Sequence, residues 1–138
     1  MRVSQRIDYT LRLLAAISRL PDEDRVAVGE LAEAMDLPRR FCEQQITELS
    51  RHGLVSCRRG AGGGCRLEVP ADKLTVASVV DVLQGTAIDV PHTPGSATTE
   101  MWERVSDNVE EMLAGVTIAD LARRQAQIDL EGSAMYHI

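Results

Sequence analysis

Aromatic side chains are nearly absent from this 138-residue chain, making up 3% of it: Tyr9, Phe41, Trp102 and Tyr136. A core must therefore be assembled from Leu, Val, Ala, Ile and Met. Lysine is scarcer still, with Lys73 alone beside fourteen arginines. Also missing is any apolar run near the roughly 18 residues that a membrane span requires. Three cysteines without paired spacing exclude a disulfide scaffold and point to a reducing, cytoplasmic setting. The first ten residues are polar and lead to no small-residue cleavage site, which argues against a signal peptide. What is present is ordinary. With 44% hydrophobic and 26% charged residues, the chain suits one compact domain and is too apolar for disorder.

The net charge of -6 seems to exclude nucleic acid as a partner, until it is divided along the chain. Residues 1–20 carry +3, residues 21–36 carry -5, residues 37–66 carry +4 and residues 67–138 carry -8. Charges farther apart than about 8–10 Å are largely screened, so a partner feels the local balance rather than the total. The block at 37–66 holds six arginines against two glutamates. Arginine offers a planar fork suited to phosphates and to guanine edges.

Periodicity divides the chain into short helices and one hairpin. Ile7, Leu11, Leu14 and Ala15 mark a helix over 5–19, with Ser4 placed to cap it. Pro21 and the acidic turn after it end that helix. Arg25–Ala27 suits a short strand, and 29–35 a helix with Leu31, Ala32 and Met35 inward. After the break at Asp36-Leu37-Pro38, the stripe Phe41, Cys42, Gln45, Ile46, Leu49 predicts a third helix to Arg51, stopped by His52-Gly53. Residues 54–59 and 65–69 then read as two strands around the glycine-rich tip Gly60–Gly64. Two short helices, a tight turn and a basic hairpin spell a winged helix-turn-helix.

Beyond Pro70, Thr75 caps a helix over 76–84 that stops at Gly85. A loop with two prolines follows at 86–97, then a long helix from about Thr98 to Leu113. Its stripe of Met101, Trp102, Val105, Val109, Met112 and Leu113 is too apolar for a lone surface helix. Either a dimer interface or packing back onto the first helix covers it. Thr117–Asp120 opens a last short helix, and from Asp129 the sequence reads as a polar, frayed tail. The expected fold is mainly α with a small β-hairpin wing. A winged helix-turn-helix over 1–70 precedes a dimerisation region over 71–128 and a flexible tail over 129–138.

These motifs resemble the bacterial Rrf family of winged-helix regulators. The likeness runs from Met1 to about Gln125. It is carried by His52-Gly53-Leu54-Val55 and by Arg59-Gly60-Ala61-Gly62-Gly63-Gly64-Cys65-Arg66-Leu67, where Cys65 replaces the family's usual aromatic residue. Tyr9, Phe41, Gln44, the segment Val79–Gly85 and Thr117–Leu121 support it. The resemblance implies a homodimeric, DNA-binding transcription regulator, acting as a repressor on a pseudo-palindromic operator of double-stranded DNA. Cluster-binding members carry three cysteines in the loop before the long helix. Here loop 86–97 has none, and Asp8 and His92 are poor replacements for thiolates. No cofactor and no metal ligand set is therefore expected.

Site residues follow from this placement. Arg39, Arg40 and Gln44 lie at the N-terminal, outward end of the recognition helix, where such helices meet base edges. Phe41 is grouped with them, and Arg51 joins as a phosphate contact or plain surface charge, as do Arg2 and Arg6. Arg58, Arg59 and Gly60 match the family's wing, which places arginine in a minor groove. The dimer contact is expected at Met101, Trp102, Val105, Val109 and Met112. Cys57 and Cys65 fall on opposite strands and one face of the hairpin. They are either small apolar fillers or a redox pair, and linking them is expected to distort the hairpin. Two other functions stand beside the leading one: a thiol-redox-sensing regulator using that pair, and a winged-helix module for protein contacts. A small molecule or a protein is the expected effector. No phosphate loop, no His-x-x-x-His spacing and no nucleophile–base set is present, so no enzyme is expected.

Overall fold

The computed structural model describes residues 2–21 and 23–136. Six helices and one hairpin follow in the order α1 (Gln5–Ser18), α2 (Val28–Ala34), α3 (Arg39–Arg51), β1 (Val55–Arg58), β2 (Gly64–Leu67), α4 (Val76–Gln84), α5 (Ala97–Ala114) and α6 (Ile118–Tyr136). Helix α1 is the hub. It starts where the Ser4 hydroxyl accepts from the Ile7 amide, and it buries Ile7, Leu13, Leu14 and Ile17. Its faces touch α3, β2, α4 and α6. Thr10 is fully buried in this helix without penalty, because its hydroxyl donates to the Arg6 carbonyl at 2.7 Å.

Helices α2 and α3 form the helix-turn-helix. Leu31 and Ala32 of α2 and Cys42, Ile46 and Leu49 of α3 enter one core with α1. The turn between them puts Asp36 at φ 53°, a left-handed conformation that aspartate tolerates better than most residues. The Leu37 amide then donates to the Ala32 carbonyl at 2.9 Å and closes the turn. Directly after α3, the Leu54 amide donates to the Leu49 carbonyl at 3.0 Å, so the hairpin leaves the recognition helix without a loose linker.

The hairpin is antiparallel, pairing Val55 with Leu67, Ser56 with Arg66, Cys57 with Cys65 and Arg58 with Gly64. Val26 adds a one-residue third strand on the far side of β2, at the place where a short strand was expected. Gly64 makes that approach possible. A Cβ there would lie 2.7 Å from the Val26 backbone, and its φ of 118° suits only glycine.

Helix α4 buries Val76, Val79, Val80 and Leu83 and lies between α1 and α5. Helix α6 is longer than the short terminal helix expected. It runs for 19 residues, through the segment read as a frayed tail. Side-chain pairs along and beside it explain the extension: Arg19 to Asp129 at 3.0 Å, Gln125 to Asp129 at 2.9 Å and Arg124 to Glu131 at 3.2 Å. Its N-terminus is held by reciprocal bonds. The Thr117 amide donates to Asp120 at 2.9 Å and the Asp120 amide to the Thr117 hydroxyl at 3.1 Å, in the manner of a capping box. His137 and Ile138, the end of the expected tail, lie outside the described residues.

Candidate nucleic-acid interface

Helix α3 separates its two faces sharply. Cys42, Gln45, Ile46 and Leu49 are buried, whereas Arg39, Arg40, Glu43, Gln44 and Arg51 face solvent. The Arg39 Nε donates to Glu43 at 2.9 Å, and its guanidinium lies over Gly29 of α2, where an added Cβ would stand 3.1 Å from Cζ. Arg39 is thus already oriented, with its positive charge partly answered by Glu43. Arg40 and Gln44 point outward on the adjacent turn. Arg51 sits at the other end of the helix, where it pairs with Glu48 at 3.5 Å.

Phe41 departs from the expected set. It is half-buried, packs against the core and meets Tyr9 edge-to-face, with ring centroids 5.7 Å apart at 85°. It braces α3 against α1 rather than joining the outward face. Arg6 departs too, being neither a free phosphate contact nor plain surface charge. Its Nε donates to Gln45 at 2.7 Å and its Nη1 to the Leu83 carbonyl at 3.3 Å. One guanidinium therefore ties α1, the underside of the recognition helix and the end of α4. Gln45 gave a signal in the sequence, because a polar residue inside an apolar stripe needs a buried partner.

The wing presents Arg58, Arg59 and Gly60 to solvent. A turn closes the tip, with the Gly63 amide donating to the Gly60 carbonyl at 2.9 Å. Below the tip lies a residue that the sequence did not single out. Arg25 Nη1 donates to the Ser56 carbonyl at 2.8 Å and to the Gly64 carbonyl at 3.2 Å, one on each strand. Partial burial, helped by the like charges of Arg58 and Arg66, holds the Arg25 pKa below the ordinary arginine value. The guanidinium is a clamp across the hairpin. Nothing in its local sequence, an acidic turn followed by a single valine, announces that role.

Cys57 and Cys65 face each other across the strands and are joined as a disulfide, with Cα atoms 4.1 Å apart. Cys57 is exposed and Cys65 is buried. The expected distortion is absent, since the pairing continues unbroken on both sides of the link. Cys42 is a different kind of cysteine. It is wholly buried, and burial pushes its thiol pKa up, as suits a core residue.

The expected dimer stripe divides. Val109 and Leu113 are half-buried and pack against the core of their own chain. Trp102 and Val105 are half-buried, while Met101 and Met112 are exposed.

A helix-turn-helix followed by a basic hairpin, with a long helix behind it, is a winged-helix arrangement. The Rrf2 family, described as an iron-dependent transcriptional regulator, matches residues 3–124. The chain belongs to the Rrf2 family. It is 30% identical over 124 residues to the HTH-type transcriptional regulator CymR of Bacillus subtilis, which spans 88% of this chain and 90% of that protein. The structure of CymR (YrzC), the global cysteine regulator of B. subtilis, superposes with a TM-score of 0.81 at 28% identity, covering 90% of this chain and 98% of that one. T. potens IscR superposes with a TM-score of 0.78 at 29% identity, covering 91% of this chain and 88% of that one. The chain is therefore a winged-helix transcriptional regulator of an Rrf2 type, similar to CymR, in a family of DNA-binding proteins rather than enzymes. Among the described residues, no helix is long and apolar enough to cross a membrane.

The family's description as iron-dependent asks for a donor set. Loop 86–97 offers no thiol. Its His92 is exposed, with Nδ1 3.7 Å from Glu103. Cys42 is enclosed in the core, and Cys57 and Cys65 are on the wing. No three His, Cys, Asp or Glu among the described residues are gathered where they could hold a metal ion. These residues do not fit an iron–sulfur cluster, which needs grouped soft thiolates.

Proposed function

We infer that this Rrf2 regulator works as a cluster-free homodimeric repressor, binding a pseudo-palindromic operator in double-stranded DNA. The observation that carries the reading is the pairing of an outward Arg40–Gln44 face on α3 with exposed Arg58 and Arg59 on a wing that α3 leads into directly. In this reading Arg39, Arg40 and Gln44 enter the major groove, where arginine suits guanine and glutamine suits adenine. Arg51 contacts a phosphate. Arg58 and Arg59, presented by the turn at Gly60, reach the minor groove, which attracts arginine most strongly where it is narrow. Two copies joined through α5 supply two recognition helices, and thus demand two half-sites. The absence of grouped thiolates in loop 86–97 supports a signal other than a cluster, such as a small molecule or a partner protein.

Footprinting and salt titration test this reading together. A protected pseudo-palindrome is expected, with half-sites one or two turns apart at about 34 Å per turn. Affinity should fall steeply with salt, because several phosphates are neutralised. Arg40→Ala and Gln44→Ala should each relax sequence preference by about 1–3 kcal/mol. Salt-indifferent binding, or equal losses on operator and mixed-sequence DNA, would overturn it.

A further inference from the structure

We propose that Cys57 and Cys65 form a reversible dithiol–disulfide site in the wing, oxidised by a peroxide and reduced by a low-molecular-weight dithiol, which sets how firmly the wing tip is held. The first argument is register. Cys65 gives both of its backbone groups to Val26, donating to the Val26 carbonyl at 2.7 Å and accepting from the Val26 amide at 3.0 Å. They point away from β1, so Cys57 and Cys65 are a non-hydrogen-bonded pair. In an antiparallel ladder, such pairs bring side chains closest. The juxtaposition is thus imposed by the backbone, whatever the redox state of the sulfurs.

The second argument is unequal access. Cys57 is exposed and Cys65 is 4% exposed, which divides the attacking and resolving roles. The Cys57 thiolate attacks one peroxide oxygen. An S–O bond forms, the O–O bond breaks, and hydroxide leaves and takes up a proton as water. The Cys65 thiolate then attacks the Cys57 sulfur, expelling the second oxygen as water once it is protonated. Two thiols lose two electrons and the peroxide gains them. In the reverse direction a dithiol attacks the exposed Cys57 sulfur and releases the Cys65 thiolate. Its second thiol then displaces Cys57, and the dithiol leaves as its own disulfide.

The third argument is position along the wing. The Arg25 clamp spans the pair, bonding the Ser56 carbonyl on its base side and the Gly64 carbonyl on its tip side, and the Val26 bridge holds Cys65 itself, all without help from sulfur. Above the pair stand Arg58 and Arg59 and a tip rich in glycine, with few bonds of its own. The link lies one rung below the last pair of the ladder, Arg58–Gly64, where the glycine-rich tip begins. Oxidation therefore stiffens the segment carrying the two wing arginines and leaves the fold unchanged. Less conformational freedom is then lost when the tip docks on DNA, so the oxidised wing binds more tightly.

The consequence for DNA rests on the function proposed above, so the test reads the wing separately. Full-length protein, wild type and Cys57→Ser, is treated with hydrogen peroxide or with dithiothreitol. Free thiols, amide hydrogen exchange over 58–64 and affinity for a mixed-sequence duplex are measured on each. Wild type is expected to fall from three free thiols to one, with slowed exchange at the tip and several-fold tighter binding. Cys57→Ser should show equal exchange and equal affinity under both treatments. Three free thiols after peroxide would overturn the proposal, as would a disulfide that changes neither exchange nor affinity. If the duplex is bound in neither state, the DNA-binding reading fails, and the exchange difference alone decides the redox site.

Discussion

Helix α1 buries six of its fourteen residues, whereas α5 buries one of its eighteen. Both carry an apolar stripe, so the difference lies in what surrounds them. Helix α1 is enclosed by α3, α4, α6 and the hairpin, while α5 leans on α4 alone among the larger contacts. Along α5, Val109 and Leu113 reach the core, but Met112 is 71% exposed and Met101 48%. The N-terminal region is thus a finished core that holds the outward face of α3 and the wing. Helix α5, by contrast, presents half of a core. Under the proposed dimer, a second copy supplies the other half.

The strongest way to break this contrast is to charge the exposed methionines. Met101→Asp with Met112→Asp should shift the monomer–dimer equilibrium by several kcal/mol, because charges would be buried without partners. Sedimentation should report the loss of dimer, while circular dichroism reports an unchanged fold. Val109→Asp is expected to differ. It should lower the thermal midpoint of the chain itself, since Val109 already packs on its own core.

A second substitution probes the finished region. Gly64→Ala would drive a Cβ into the Val26 backbone at a φ of 118°. A loss of about 2–3 kcal/mol is expected from strain and overpacking, read by thermal unfolding. Wing-dependent DNA affinity should fall with it, while the dimer persists.

A smaller effect tests how α6 is held. Hydrogen bonds from Thr117 keep the Asp120 carboxyl below its ordinary pKa, with Arg123 adding to them. Bonds from Gln125 and then Arg19 do the same for Asp129. Both folded pKa values are depressed. Their contributions to stability are therefore complete above the ordinary carboxylate value of about 4 and vanish as pH falls through the lower folded values. Helix content should hold at neutral pH and drop in acid, more shallowly in Asp120→Asn.

Much of this architecture was legible because it rests on local chemistry. Thr75 and Gly85 bracket α4 where the cap and stop residues predict. Asp36-Leu37-Pro38 breaks the two helices of the helix-turn-helix, and the glycine tip separates the strands. Family membership was equally legible in the spacing of the wing. What escaped the reading are contacts between residues far apart in the chain. Arg25 finds its acceptors 31 and 39 positions away, and Arg6 reaches Gln45 and Leu83 at separations of 39 and 77. Periodicity carries no record of such pairs. Phe41 is grouped by its place beside Arg40 with the DNA-contacting residues, although it belongs to the apolar stripe of the helix, and its ring finds Tyr9. Helix α6 was read too short because the polar run from Asp129 hides the ion pairs made along it.

The central claim is that two copies, joined where α5 is uncovered, present two recognition helices to one duplex. Sedimentation equilibrium of the full chain, alone and on a duplex carrying the footprinted site, tests it most directly. The account predicts twice the mass of one chain in solution, and two chains per duplex. A single-chain mass in solution, or one chain bound per duplex, would contradict it.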